Sequence, residues 1–215
     1  VSQGIPPTVL IHMFAILIAL FAFLAPSQEL WQFDNLQSIG GHKPTVEGHP
    51  QVVDGAIRFN GIDDALFFPV HPLAGAETFT WEVVFRPDPT GKPEQRFFHF
   101  QVDGSDDRML FEIRIIDGQW CLDTFVKSGD ASATLLDRTK LHPLGPWYRA
   151  EAVYDGKTLS NYVDGVLQGQ AELHAAPQKP GQTSVGVRFN RKDYFKGSVK
   201  TARMTPRALP VSAFL

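Results

Sequence analysis

The sequence has one cysteine, Cys121, in 215 residues. It therefore has no intrachain disulfide and no cysteine-built metal centre. No cysteine follows the N-terminal apolar run, which excludes lipid attachment there. Positive charge is also scarce: 20 Lys and Arg stand against 23 Asp and Glu, for a net charge of −3. Nucleic-acid binders gather cations into a patch or stripe; none is visible, so nucleic acid is excluded as a partner. Methionines number three, and beyond the leader no segment carries an apolar stripe of helical period, which argues against a helical bundle. H-x-H, H-E-x-x-H, G-x-S-x-G, Walker and dinucleotide-glycine motifs are all missing, so zinc, serine-hydrolase and nucleotide chemistry lack support.

Long apolar runs are limited to one, residues 9–25, interrupted by His12. As a helix it would span about 25 Å at 1.5 Å per residue, short of the hydrocarbon core of about 30 Å. Small residues at Ala25 and Ser27 precede Gln28, a pattern that suits signal-peptidase cleavage. Residues 1–27 are therefore expected to be a signal peptide or N-terminal apolar leader, with an uncleaved anchor or a buried strand or helix as alternatives. Residues 1–13 carry no Lys or Arg, which departs from the usual start of such a leader. Cleavage would leave no stable membrane span and a secreted, periplasmic or cell-surface protein.

What the chain has is glycine, proline and phenylalanine: 18, 16 and 17 residues. After residue 27 the hydrophobic pattern has period two almost throughout, the mark of half-buried strands. Residues 78–86, 96–102, 108–116, 120–127, 133–138, 147–154, 158–163, 166–173, 183–189 and 194–204 all read this way. Asp103-Gly104, Asp117-Gly118, Asp155-Gly156 and Asp164-Gly165 supply turns that tolerate positive φ. Short strands at about ten-residue spacing predict a sandwich or barrel. Residues 28–215 are expected to form one all-β domain.

The segment 147–165, from Trp147-Tyr148-Arg149 through Tyr154-Asp155-Gly156 to Tyr162-Val163-Asp164-Gly165, resembles the central hairpin of laminin-G-like, concanavalin A-like domains. Phe59-Asn60-Gly61-Ile62-Asp63-Asp64 with Phe79-Thr80-Trp81-Glu82 is similar to the early strands of that family. Gly186-Val187-Arg188-Phe189-Asn190 with Phe195-Lys196-Gly197-Ser198-Val199 is similar to its closing strands. The likeness covers roughly residues 30–214. It implies a two-sheet antiparallel jelly-roll sandwich, a scaffold that carries lectins, adhesion modules and glycanases alike. Within this pattern Trp147 is expected to open a buried strand.

Alternation places Trp81, Phe98, Phe100, Phe111 and Ile113 inward. The opposite face would present Glu82, Arg86, His99, Gln101, Glu112, Arg114, Asp123, Lys127, Arg149 and Glu151. A solvated sheet face accounts for such polarity, and so does a sugar site, since hydroxyls need donors and acceptors in fixed places. The resemblance adds that concave sheet faces of this fold commonly hold sugar. His99, Gln101, Glu112, Arg114, Asp123 and Arg149 are the expected ligand-binding residues, and a polysaccharide or glycosylated surface the expected partner.

The resemblance also raises Ca²⁺, which family members often hold at a sheet edge and which takes oxygen ligands. Asn60, Asp63 and Asp64 are the candidate turn, with Asp103, Asp106 and Asp107 behind it. Asp and Asn in turns also serve local backbone amides. The E-x-D-x-x-E strand of laminarinase-type glucanases is missing: Glu77 and Glu82 have no intervening Asp. Arg114 and Arg149, beside Glu112 and Glu151, predict ion pairs unsuited to a general acid. Non-catalytic recognition is therefore the favoured reading. A glycan hydrolase or lyase, or a protein-interaction module of an envelope assembly, is the rival. The last predicts an exposed apolar patch, with Phe67, Phe68, Phe214 and Leu215 as candidates.

Overall fold

The computed structural model describes residues 27–215, so the expected leader lies, but for Ser27, outside the described residues. The strands in chain order are β1 (Glu29–Gln32), β2 (Thr45–Glu47), β3 (Gln51–Val53), β4 (Ala56–Asn60), β5 (Ala65–Phe68), β6 (Phe79–Pro87), β7 (Glu94–Val102) and β8 (Arg108–Ile116). Then come β9 (Gln119–Ser128), β10 (Ala131–Leu136), β11 (His142–Pro143), β12 (Tyr148–Tyr154), β13 (Thr158–Val163), β14 (Val166–Glu172), β15 (Gly181–Val185) and β16 (Lys196–Thr205). They form two eight-stranded antiparallel sheets. The first runs β14-β13-β12-β6-β16-β4-β3, with β1 also on β16; the second runs β10-β9-β8-β7-β15-β5-β2, with β11 beside β9. This is the two-sheet sandwich that the resemblance implies, and one of the two architectures that the alternation predicts.

Aromatic side chains interlock the sheets. Trp81 of the first sheet stacks on Phe111 of the second at 3.8 Å between centroids and 18° between planes. Phe85 stacks on Phe97 at 4.2 Å and 10°. Trp81, Phe85, Phe97, Phe98, Phe100 and Phe111 are all fully buried. At roughly 1.5–3 kcal/mol for a fully buried large apolar side chain, this layer is a dominant stabilising term. A bulge between Arg96 and Phe98 turns Phe97 and Phe98 both inward while leaving Arg96 facing out.

The hairpins follow their Asp-Gly pairs. Asp117 (φ 49°) with Gly118 (φ 75°) and Asp164 (φ 50°) with Gly165 (φ 75°) both take the paired left-handed geometry of a type I′ turn. Trp147 does not open a buried strand. It stands 39% exposed, before β12, with the cations of Arg86 and Lys200 at 5.1 and 5.9 Å from its ring centre. The buried Trp of this region is Trp120, whose indole N–H donates to the Pro143 carbonyl at 3.1 Å.

Residues 206–215 cross the outer face of the first sheet. The Thr80 hydroxyl donates to the Arg207 carbonyl (2.9 Å) and accepts from the Leu209 amide (2.8 Å). The Leu215 amide donates to Glu82 (2.7 Å), Arg203 pairs with the same carboxylate (Nη2–Oε1 2.9 Å), and Phe214 packs edge-on against Tyr162. Glu82 and Glu151 are thereby fully buried although both face away from the core.

The second sheet is covered differently. Residues 183–189 were expected to form one strand, but β15 ends at Val185. Gly186, at φ +88°, turns the chain out of the sheet and sends Arg188 and Phe189 over its outer face. A Cβ on Gly186 would lie 2.5 Å from a ring carbon of Phe59 and 3.0 Å from the Asp64 carbonyl oxygen. Gly186→Ala therefore combines a disfavoured φ with overpacking and should lower unfolding free energy by about 2–4 kcal/mol. Urea denaturation reads this directly; a loss under about 0.5 kcal/mol would contradict the tight turn.

Candidate functional site

Because Trp81 and Phe111 meet across the core, the outward residues of β6 and β12 point away from those of β7, β8 and β9. The single polar face expected from alternation is therefore two faces on opposite sides of the molecule. Arg149 belongs to the first sheet, where it pairs with Glu151; it cannot share a ligand with the other five expected residues. Burial pushes Glu151 up to about 7 despite that partner.

On the second sheet, register brings Glu112 opposite Asp123 and Arg108 opposite both Gln101 and Lys127. Glu112, Arg114 and Asp123 converge. Arg114 Nη2 lies 3.0 Å from Glu112 Oε2 and 2.7 Å from Asp123 Oδ2, and Arg114 also pairs with Glu94. Arg96 Nε approaches Glu112 Oε2 to 3.0 Å. Burial raises the Glu112 carboxyl above its ordinary value, with Arg96 pulling it back. Asp123 is 2% exposed, and its Oδ1 has no hydrogen-bond partner among the described residues.

These groups form one wall of a depression of about 140 Å³ lined also by Arg108, Leu110, Phe125, Thr134 and Arg188. The Arg108 guanidinium lies over the Phe125 ring at 4.6 Å. The arrangement offers a buried acceptor, a hydroxyl and guanidinium donors around apolar Leu110 and Phe125, a combination that suits a polyol with one apolar face. Gln101 is half-buried in a wider, adjoining hollow with Asp103, Asp106, Gln182 and Phe189.

His99 is not a ligand contact. It is fully buried beneath Phe189, whose amide donates to Nδ1 at 3.2 Å and whose ring lies edge-on at 5.0 Å. The proton then resides on Nε2, which is buried without an acceptor. Burial, with Arg188 and Arg108 nearby, holds its pKa well below the usual value. Alternation had placed it correctly on the outer face; the strand's early end at Gly186 is what covers it. Arg108, already in the alternating set of β8, was within reach of sequence reasoning. Arg188 was not, because it reaches the site from a loop.

Asn60, Asp63 and Asp64 do share one turn, and their side chains bond the chain around it. Asn60 Oδ1 accepts from the amides of Ile62, Asp63 and Asp64. Asp64 accepts from the amides of His49 (2.7 Å) and Asn60 (2.9 Å). The Asn60 side-chain NH₂ donates to Asp63 at 2.7 Å. Among the described residues no group of three or more His, Cys, Asp or Glu is arranged to hold a metal. A larger hollow of about 460 Å³ beside this turn is lined by Arg58, Asp88 and Lys196 among others. Its charges are already engaged: Arg58 with Asp88 at 3.0 Å, Lys196 with Thr90 at 2.7 Å. The four residues named for the apolar patch of the protein-interaction rival lie apart, and of them Leu215 is exposed. Phe68 is in the core, Phe67 lies under Phe189 and Arg191, and Phe214 is on the opposite sheet.

A family model of the concanavalin A-like lectin/glucanases superfamily, of laminin G type, matches residues 60–213. The chain belongs to this family. No curated protein matches the sequence. Among solved structures, this laminin-G-like domain is similar to domain 4 of AbnA, a GH43 extracellular arabinanase from Geobacillus stearothermophilus, in complex with arabinotriose. The TM-score is 0.65 at 17% identity, covering 86% of this chain and 94% of that one. It is also similar to the binding domain of botulinum neurotoxin DC in complex with SialylT (TM-score 0.63, 13% identity, 86% and 49% covered). A third likeness is to Trypanosoma rangeli sialidase in complex with sialic acid (TM-score 0.61, 15% identity, 86% and 31% covered). The chain thus spans about a third of that sialidase and half of that toxin domain. At such identities these likenesses establish the shared sandwich fold.

His71 gives the laminin-G-like domain a pH signature. It is 4% exposed, stacked on Phe100 at 4.8 Å and hydrogen-bonded to Gln178 at 2.7 Å. Burial lowers its pKa from 6.5 to about 4. A histidine held neutral contributes stability that is present above 6.5 and lost as pH falls toward 4, on the order of 3 kcal/mol. Glu151 acts in the opposite sense, its pKa raised, so stability from that group is present below 4.5 and lost as pH rises toward 7. The comparison of His71→Gln with wild type isolates the histidine. The variant's deficit, measured by urea denaturation, should be largest at pH 7.5 and shrink toward pH 4. A deficit independent of pH would contradict this account.

Proposed function

We propose that this domain is a non-catalytic carbohydrate-recognition module that holds its ligand on the outer face of the second sheet. The observation that carries the reading is Asp123 Oδ1, a buried carboxylate oxygen without a partner, at the wall of a depression that Leu110 and Phe125 also line. A buried unpaired acceptor costs about 1–3 kcal/mol, more when charged; a sugar hydroxyl would satisfy it while the ring's C–H face packs on the apolar side chains. The carbohydrate complexes named for the structural neighbours support the same class of ligand.

Glu112 and Asp123 are the carboxylates to weigh for hydrolysis. A glycosidase pair must flank the scissile bond. Here one guanidinium nitrogen of Arg114 contacts both, so they stand side by side with the cation occupying the space between them. That arrangement leaves no gap for a scissile bond between the two carboxylates and favours binding over hydrolysis. The apolar run at 9–25 and the small residues before Gln28 support export, which would place the module where extracellular polysaccharide is met.

Native electrophoresis through gels cast with different polysaccharides tests the proposal. Retardation without clearing of the polymer is the expected result in at least one gel, with Asp123→Asn weakening it about tenfold or more. Clearing around the band would overturn the non-catalytic reading and direct attention to Glu112 and Asp123. Free migration in every gel would overturn carbohydrate recognition.

A further inference from the structure

Of the cations in this depression, Arg188 has no counter-ion among the described residues and Arg108 has only a distant, shared one. Arg96 and Arg114 are occupied by Glu94, Glu112, Asp123 and Asp193. Arg188, half-buried on the loop beyond Gly186, has no ion pair or side-chain hydrogen bond among the described residues. Arg108 donates to the Asp106 carbonyl at 2.6 Å, but the nearest carboxylate, of Asp106, is 3.9 Å away and 72% exposed. That carboxylate is itself held by Lys127 at 2.7 Å. Arg108 Nε is buried without a partner.

Like charges at one depression repel, and the effect is visible in Arg108. Burial first, and the charge of Arg188 second, lower its pKa from the usual guanidinium value. An anion between the two guanidinium groups would relieve both costs, and guanidinium matches a planar carboxylate in bidentate fashion. The opposite wall has the reverse need, since Asp123 Oδ1 wants a donor.

We propose that the site selects an acidic saccharide. Its carboxylate would lie between Arg108 and Arg188, and one of its hydroxyls would donate to Asp123 Oδ1. The inference rests on the carbohydrate reading and narrows it to uronic or sialic acid units. Arg188 is then the specificity residue: an acid gains a charge-assisted pair from it, a neutral sugar only an ordinary hydrogen bond. Its loop also covers His99, so the turn at Gly186 both closes the histidine in and delivers the cation.

The test compares binding of the protein to polygalacturonate, alginate and polysialic acid with binding to the same polymers after methyl esterification, and to a neutral glucan. Esterification keeps the backbone and removes the charge. The expected result is that at least one acidic polymer binds at least tenfold tighter than its ester, with affinity falling as salt rises. Arg188→Gln should erase that preference without lowering the urea midpoint, because no ion pair or side-chain hydrogen bond of Arg188 is lost and a charge that repels Arg108 is removed. Equal binding of acid and ester, or tight binding of the glucan, would overturn the acidic-saccharide inference and leave the carbohydrate reading standing. Binding to none of the polymers would overturn both. An acid preference that survives Arg188→Gln would show that the charge is read elsewhere and would likewise contradict the assignment.

Discussion

The stacking of Trp81 on Phe111 decides which half of every central strand faces solvent. Side chains alternate across a strand, so once these two rings meet between the sheets, the orientation of β6 and of β8 is fixed along their lengths. Glu82 and Arg86 must then face one way and Glu112 and Arg114 the other. The bulge at Phe97 preserves this arrangement, because it adds a second inward aromatic and leaves Arg96 beside Glu112. The Trp81 indole N–H has no acceptor among the described residues; aromatic packing offsets that cost.

Both outer faces are polar, and the chain treats them differently. The last ten residues lie along the first sheet and seal Glu82 and Glu151 behind Leu215 and Phe214. The second sheet receives only the short excursion after Gly186, which covers His99 and stops. What remains beyond it is a depression with an unpaired acceptor on one side and the guanidinium groups of Arg108 and Arg188 at the other. Elsewhere on the surface, pairs such as Arg58–Asp88 and Arg191–Glu47 close directly. Glu151 Oε2, on the first sheet, is likewise buried without a partner; what assigns the site to the second sheet is that its unpaired acceptor lines a depression together with Arg108 and Arg188.

The alternation of β8 was readable residue by residue: residues 108–116 are a strand with the expected parity. So was 158–163, and the Asp-Gly pairs at 117 and 164 adopt the turns their chemistry favours. From β8 and β9 alone, Glu112, Arg114 and Asp123 could be grouped. The sheet to which each strand belongs was not readable, because pairing of β12 with β6 and of β9 with β8 is a long-range choice that local pattern does not encode. Arg149 was misplaced for that reason. His99 and Arg188 depend on Gly186, one residue whose left-handed φ ends a strand that the hydrophobic pattern would have continued. The turn at Asn60, Asp63 and Asp64 has the composition of a cation loop, and Asn60 Oδ1 and Asp64 accept from nearby backbone amides.

A crystal structure of the domain with a short galacturonate or sialyl oligosaccharide tests the central claim most directly. The account predicts one sugar unit seated against Leu110 and Phe125, a hydroxyl within about 3 Å of Asp123 Oδ1, and its carboxylate between Arg108 and Arg188. Sugar bound instead in the hollow of Arg58, Asp88 and Lys196, or on the first sheet beside Arg149, would contradict it.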